Sequence, residues 1–109
     1  MNAWVYLVLA VFFEVGFTSF MKLSDGFTKW QFVVLFLISA VISFTLLSAA
    51  MKSIPLGTAY AVWTGIGAFG TAVLGMIFFR DPVSAGRIFF LLLLVGSIVG
   101  LKVVTAGEE

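Results

Sequence analysis

The chain has 109 residues, of which 62% are hydrophobic and 10% charged, and its formal net charge is +1. Soluble domains are about 45–50% apolar and about 25% charged, so a water-soluble fold of this size has too little interior for its apolar surface, and the solvent is the bilayer. The small net charge argues against nucleic acid as a partner. The absence of Cys and His excludes a disulfide framework, most zinc and iron sites and histidine acid–base chemistry; no cofactor is expected.

Four apolar runs follow in order, at 3–20, 32–50, 56–79 and 88–104. A helix rises 1.5 Å per residue, so runs of this length cross a hydrocarbon core of about 30 Å. Backbone groups in lipid must be paired internally, which makes each run a helix. The N-terminal Met1-Asn2-Ala3-Trp4 has no positive residue and no cleavage site follows, so the first run reads as a retained helix and not as a signal peptide. The breaks at 22–30, 52–55 and 80–87 are short and polar. Short connections make neighbours antiparallel, which predicts one all-α domain over 1–109, a four-helix hairpin bundle packed around its side chains. The tail 105–109 is polar and is expected to fray.

Lys22, Lys29, Arg80 and Arg87 belong to one side of the membrane, Lys52 and Lys102 to the other. This weak bias leans toward both termini outside, and is small enough to permit insertion in both senses. The basic residues themselves read as interface anchors.

In the first run, Glu14 is the only acidic or basic residue in the interior of any run. A charge at bilayer depth costs about 2.5–3.5 kcal/mol on insertion scales, and a residue kept at that cost is expected to bind a proton, a cation, or each in turn. At helical spacing it shares a face with Ala10, Val11, Phe17 and Thr18. Small Ala10 leaves room, Thr18 offers a hydroxyl and Phe17 a wall. A purely structural glutamate bonded to a neighbouring helix is the competing account.

In the second run, Ser43 either orients the Glu14 carboxylate or bonds the carbonyl one turn back in its own helix. In the third, Tyr60 and Trp63 lie three apart on one face. Their rings offer π faces to a cation, and the Tyr60 hydroxyl is a potential donor to a carboxylate. An interfacial aromatic belt is the alternative; it suits Trp4 and Trp30, at run ends, better than Tyr60 and Trp63, which lie deeper. Gly65, Gly67, Gly70 and Gly75 in the same run permit either a hinge or a tight helix crossing. In the fourth, Gly96 and Gly100 are four apart on one face, the spacing that lets membrane helices approach closely. Glycine is also simply frequent in such helices. Four helices leave little lumen, so a path for anything larger than a proton requires a second copy.

The lone membrane glutamate in FFEVGFTSFMKLSDGF, the block IPLGTAYAVWTGIGAFGTAVLG and the ending LLLVGSIVGLK together resemble the small multidrug resistance transporters over nearly the whole chain. The resemblance implies a proton-coupled exporter of cationic compounds in the bacterial inner membrane, working as an antiparallel dimer. Glu14 would be the shared proton and substrate site, Tyr60 and Trp63 would line the pocket, Ser43 would bond the glutamate, and Gly96 with Gly100 would form the dimer contact. The GTAYAVWTGIG block and the Gly100-Leu101-Lys102 ending are similar to the guanidinium exporter branch. Phe17 stands where that branch usually has Trp, and Gly16 where a bulky aliphatic is usual. Both replacements are expected to enlarge the wall beside Glu14, admitting bulkier quaternary ammonium ions or marking one half of a heterodimer. A small channel and a non-transporting accessory subunit are the competing classes; no nucleophile–base arrangement supports an enzyme.

Overall fold

A computed structural model describes residues 2–108, with side chains described to Thr105. Among them are four helices: α1 (Ala3–Leu23), α2 (Trp30–Ala50), α3 (Leu56–Phe78) and α4 (Ala85–Glu108). All four are long and apolar enough to cross a membrane, so the chain is an all-α, multi-pass membrane protein.

Local chemistry sets the helix ends. Asn2 caps α1, its side-chain oxygen accepting from the Trp4 N–H at 2.8 Å, the preferred N-cap arrangement. α1 continues past the apolar run to Leu23, because Lys22 is long enough to stay helical while its charge reaches water. The following turn is built on Ser24, which is fully buried. Its hydroxyl donates to the Met21 carbonyl at 2.7 Å and accepts the Phe27 N–H at 3.0 Å, and its carbonyl accepts from Thr28 and Lys29. Asp25, Gly26 and Phe27 all take positive φ there, a strained path for two non-glycine residues that the Ser24 bonds and the packing of Phe27 on Phe36 hold in place. α4 starts three residues before the apolar run because Ser84 serves its first turn: the Arg87 N–H bonds the Ser84 hydroxyl at 3.1 Å and the Ile88 N–H its carbonyl at 3.0 Å.

The tail does not fray where expected. Helix α4 runs to Glu108, and Thr105 is buried, sharing a hydroxyl bond of 3.1 Å with Thr58 of α3. Glu109 lies outside the described residues. At the same end of α4 the Lys102 ammonium sits 4.9 Å from the centre of the Trp4 ring, a cation–π contact that ties α4 to the start of α1.

The four expected helices pack in a flat arrangement. The molecule is a flat slab of 45 × 35 × 18 Å. α1 packs extensively on α2 and on α3, whereas α4 packs along α3 and touches α1 through Lys102 and Trp4. Paired residues give the directions. Ala10 meets Ser43 and Phe17 meets Phe36, so α1 and α2 are antiparallel. Thr58 meets Thr105 and Gly65 meets Ile98, so α3 and α4 are antiparallel. Glu14 meets Gly67 and Thr18 meets Thr71, so α1 and α3 run the same way.

Of the two readings offered for the α3 glycines, close crossing is the one observed. A Cβ at Gly65 would press on Ile98, one at Gly67 on Glu14, one at Gly70 on Val15 and one at Gly75 on Asp81. α4 contrasts with this. Among its described side chains only Ile98 and Thr105 are buried, and no described residue lies within 4 Å of a Cβ built on Gly96 or Gly100.

Candidate functional site

Glu14 is placed by the crossing of α1 and α3. It is 92% buried, with 8% of its surface exposed, and it rests on the backbone of Gly67. Any side chain at position 67 would occupy the space of the carboxylate, so glycine there is a steric requirement. The Oε1 atom is buried and has no hydrogen-bond partner among the described residues. Buried polar groups are normally satisfied, and an unpaired buried carboxylate oxygen is costly. That observation counts against the purely structural glutamate, which needs a partner in the neighbouring helices.

One turn toward the start of α1 the polar chemistry is fully used. Ser43 is completely buried; its hydroxyl donates to the Ala10 carbonyl at 2.6 Å and accepts from the Trp63 indole N–H at 3.0 Å. The expected bonds from Ser43 to Glu14 or to its own helix are therefore not made. The single hydroxyl hydrogen is committed to Ala10, and the serine fixes the Trp63 ring across the α2–α3 gap. Ala10, fully buried, leaves the room that this three-way contact needs.

Thr18 also departs from expectation. Its hydroxyl donates to the Val15 carbonyl at 3.0 Å and pairs with the Thr71 hydroxyl at 2.8 Å, not with Glu14. The reason is register: α1 and α3 run parallel, so the residue one turn beyond Glu14 meets the residue one turn beyond Gly67.

Phe17, Trp63 and Tyr60 come together in one aromatic cluster, joined by Phe44. Phe17 is buried and its ring lies 6.3 Å from Trp63 and 5.9 Å from Phe44. Phe44 lies 5.4 Å from Trp63, and Tyr60 5.8 Å from it on the other side. Trp63 is 6% exposed while Tyr60 is 53% exposed, so Trp63 is the inner ring and Tyr60 the rim. The Tyr60 hydroxyl makes no bond to Glu14 among the described residues. Its rim position leaves the ring, not the hydroxyl, as its contribution within one chain.

Gly16 is corrected outright. Two residues beyond Glu14 is about 200° around a helix, and Gly16 indeed faces Ser39 of α2, with a Cβ at that position 3.8 Å from the Ser39 hydroxyl. It borders a separate apolar recess with Phe12, Phe13 and Leu74. Of the two positions, Phe17 alone joins the aromatic cluster with Trp63 and Phe44.

Gly67 entered the sequence reading only as a hinge or crossing glycine, and Thr71 and Phe44 escaped it. The first two had a signal, since Trp63, Gly67 and Thr71 recur at i, i+4 and i+8 on one face of α3. Phe44 had none beyond its type, because its place depends on how α2 crosses α3.

The model of the family described as Small Multidrug Resistance protein matches residues 2–94. A guanidinium exporter of Yersinia pseudotuberculosis is 46% identical over 100 residues, covering 92% of this chain and 96% of that protein. A probable guanidinium efflux system subunit of Bacillus licheniformis is 41% identical over 102 residues, covering 94% and 98%. A guanidinium exporter of Citrobacter freundii is 39% identical over 103 residues, again covering 94% and 98%. Four membrane helices, a buried carboxylate and similarity along nearly the full length agree: the chain belongs to the small multidrug resistance family, a family of transporters and not of enzymes.

Proposed function

We propose that this chain is a subunit of a proton-coupled exporter of small cations, with guanidinium as its substrate and Glu14 as the group that protons and substrate share. The observation that carries the reading is the unpartnered Oε1 of Glu14, buried against Gly67 beside an aromatic wall. Such a carboxylate is relieved either by a proton or by a cation, and not by both together. The two ligands therefore displace one another, and a proton gradient drives the cation outward. Guanidinium is planar and offers paired N–H donors that fit carboxylate oxygens two at a time. Trp63 and Phe17 complement its faces with π density. The names of the relatives from Yersinia, Bacillus and Citrobacter point to the same substrate.

The site is completed by a second chain. A slab 18 Å thick encloses no passage, Tyr60 stands half exposed at the rim, and the Gly96–Gly100 face of α4 is open. We infer an antiparallel dimer in the bacterial plasma membrane, joined along α4 and bringing two Glu14 carboxylates to one chamber. The Bacillus relative is described as a subunit of an efflux system, which favours a second reading: one half of a heterodimer, with Phe17 giving access to bulkier quaternary ammonium ions.

The test is exchange in proteoliposomes carrying a pH-sensitive dye. Guanidinium should drive saturable proton movement that Glu14→Gln abolishes while the variant stays folded. Proton-coupled guanidinium flux retained in that variant would falsify the mechanism. A response to tetraphenylphosphonium, or activity only when a related chain is co-reconstituted, would select the second reading.

A further inference from the structure

Three contacts line up along the α1–α3 seam. Glu14 lies on Gly67; the Thr18 and Thr71 hydroxyls meet at 2.8 Å; and one turn further Lys22 and Asp81 border a cavity of about 180 Å³ that Thr18, Ser19 and Thr71 also line. Glu14, Thr18 and Lys22 are spaced i, i+4 and i+8, as are Gly67, Thr71 and Gly75, so two parallel helices set these levels side by side, about 6 Å apart along the axis. Polar groups thus recur along the seam from the buried carboxylate to the ends of α1 and α3, with the Val15–Gly70 contact between the first two levels.

The mouth is built to attract positive charge. Arg80 takes φ +59° and turns the chain so that the Asp81 N–H bonds the Gly75 carbonyl at 3.0 Å, with the Asp81 carboxylate on the bare Cα of Gly75. α1 and α3 both end here, each helix C-terminus carrying about half a negative charge. A carboxylate added to that place is unfavourable unless cations come to it. Arg87, 3.8 Å away, and Lys22 at the cavity edge are the resident ones.

We propose that this seam is the proton path to Glu14, separate from the aromatic side where the cation sits, with Thr71 and Thr18 as the relay and Asp81 at its mouth. The inference rests on the proton-coupled reading above. Thr18 has one hydroxyl hydrogen, held on the Val15 carbonyl, so Thr71 donates the bond between the two. In the transfer, a proton from the cavity joins the Thr71 oxygen and the hydrogen already on Thr71 passes to Thr18; Thr18, which makes no bond to Glu14 at rest, then turns its own hydrogen from the Val15 carbonyl toward the Glu14 carboxylate one turn back and gives it up there. Each hydroxyl gains one hydrogen and gives up one, and one positive charge moves inward; release is the reverse. A pair closed at 2.8 Å passes a proton and excludes guanidinium.

The experiment is a rapid pH jump on reconstituted protein, with proton uptake followed by dye and guanidinium affinity measured separately by titration. Thr71→Val keeps the shape and removes the oxygen. It should slow proton uptake about three- to tenfold, the size of one lost hydroxyl bond, at unchanged guanidinium affinity, and Thr71→Ser should restore the rate. Asp81→Asn, on an exposed turn, should slow uptake with the same unchanged affinity, and supplies the answer should Thr71→Val fail to fold. Wild-type uptake rates in the variants overturn the path, as does a loss of affinity that tracks the loss of rate. Wild-type protein and Glu14→Gln run alongside separate the two claims. No guanidinium-driven proton flux in wild type overturns the coupled reading and the path with it; normal wild-type flux with unaltered variants overturns the path alone.

Discussion

Glycine has opposite meanings in α3 and in α4. In α3 every glycine from Gly65 on is met by another part of the same chain: Ile98, Glu14, Val15 and Asp81 fill the places where side chains would be. In α4, Gly96 and Gly100 meet nothing among the described residues, on a helix that packs along α3 and reaches α1 through Lys102 and Trp4. Close approach in membranes is driven by packing at small residues, so the first set has been used to build the site. The second is still free, and is the surface we assign to a second copy. Identical residues at similar density thus separate the part of the molecule to which we assign the chemistry from the part to which we assign an assembly.

The sharpest way to break that comparison is at position 67. Gly67→Ala puts a methyl group where the Glu14 carboxylate lies. The obstructed atoms are the far end of a flexible side chain, so the helix crossing survives, at an overpacking cost of about 1–3 kcal/mol, while the carboxylate is driven from its place. We expect a folded protein, still able to dimerise, with guanidinium exchange lost as completely as in Glu14→Gln. Exchange within twofold of wild type, measured in proteoliposomes, would show that the Glu14–Gly67 contact does not define the site.

The converse change is at Gly96 or Gly100. A Cβ at either place has nothing within 4 Å among the described residues, and leucine is a better helix former than glycine by somewhat under about 1 kcal/mol. The monomer should be undisturbed or slightly more stable. Its dimerisation constant should weaken at least about tenfold, or about 1.4 kcal/mol, as read by light scattering or cross-linking in detergent, with exchange falling in proportion to the dimer that remains. A dimer of undiminished affinity would remove α4 as the contact.

What the sequence disclosed and withheld follows the same division. Helix number, membrane-spanning length and the place of Glu14 as a lone acid within a helix are one-dimensional properties, carried by run length and by a single acid among apolar residues. Helix ends were misplaced where hydropathy and helicity part company: Lys22 is charged yet helical, and Ser84 caps a first turn too polar to count as apolar run. Side-chain partners were legible only as far as the helix face. That Ser43 would choose Ala10 and Trp63, and Thr18 would choose Thr71, depends on the register between helices, which no spacing within one helix encodes. The openness of α4 was equally hidden, because an apolar helix facing lipid or a partner has the composition of one facing a core.

Gly16 sets the smallest effect and the finest test of the same principle. It lies on α1 only two residues from Glu14, yet on the reverse face. A methyl group there would sit 3.8 Å from the Ser39 hydroxyl, an ordinary van der Waals contact. Gly16→Ala should therefore leave guanidinium exchange and its ratio to tetraphenylphosphonium response unchanged, and should stabilise the chain by about 0.4–1 kcal/mol through its lower unfolded-state entropy. Phe17→Trp, on the wall that contains Trp63 and Phe44, is the contrasting variant: it should shift that ratio toward guanidinium. If instead Gly16→Ala altered substrate preference and Phe17→Trp did not, the recess beside Ser39, and not the aromatic wall, would be the surface that selects the cation.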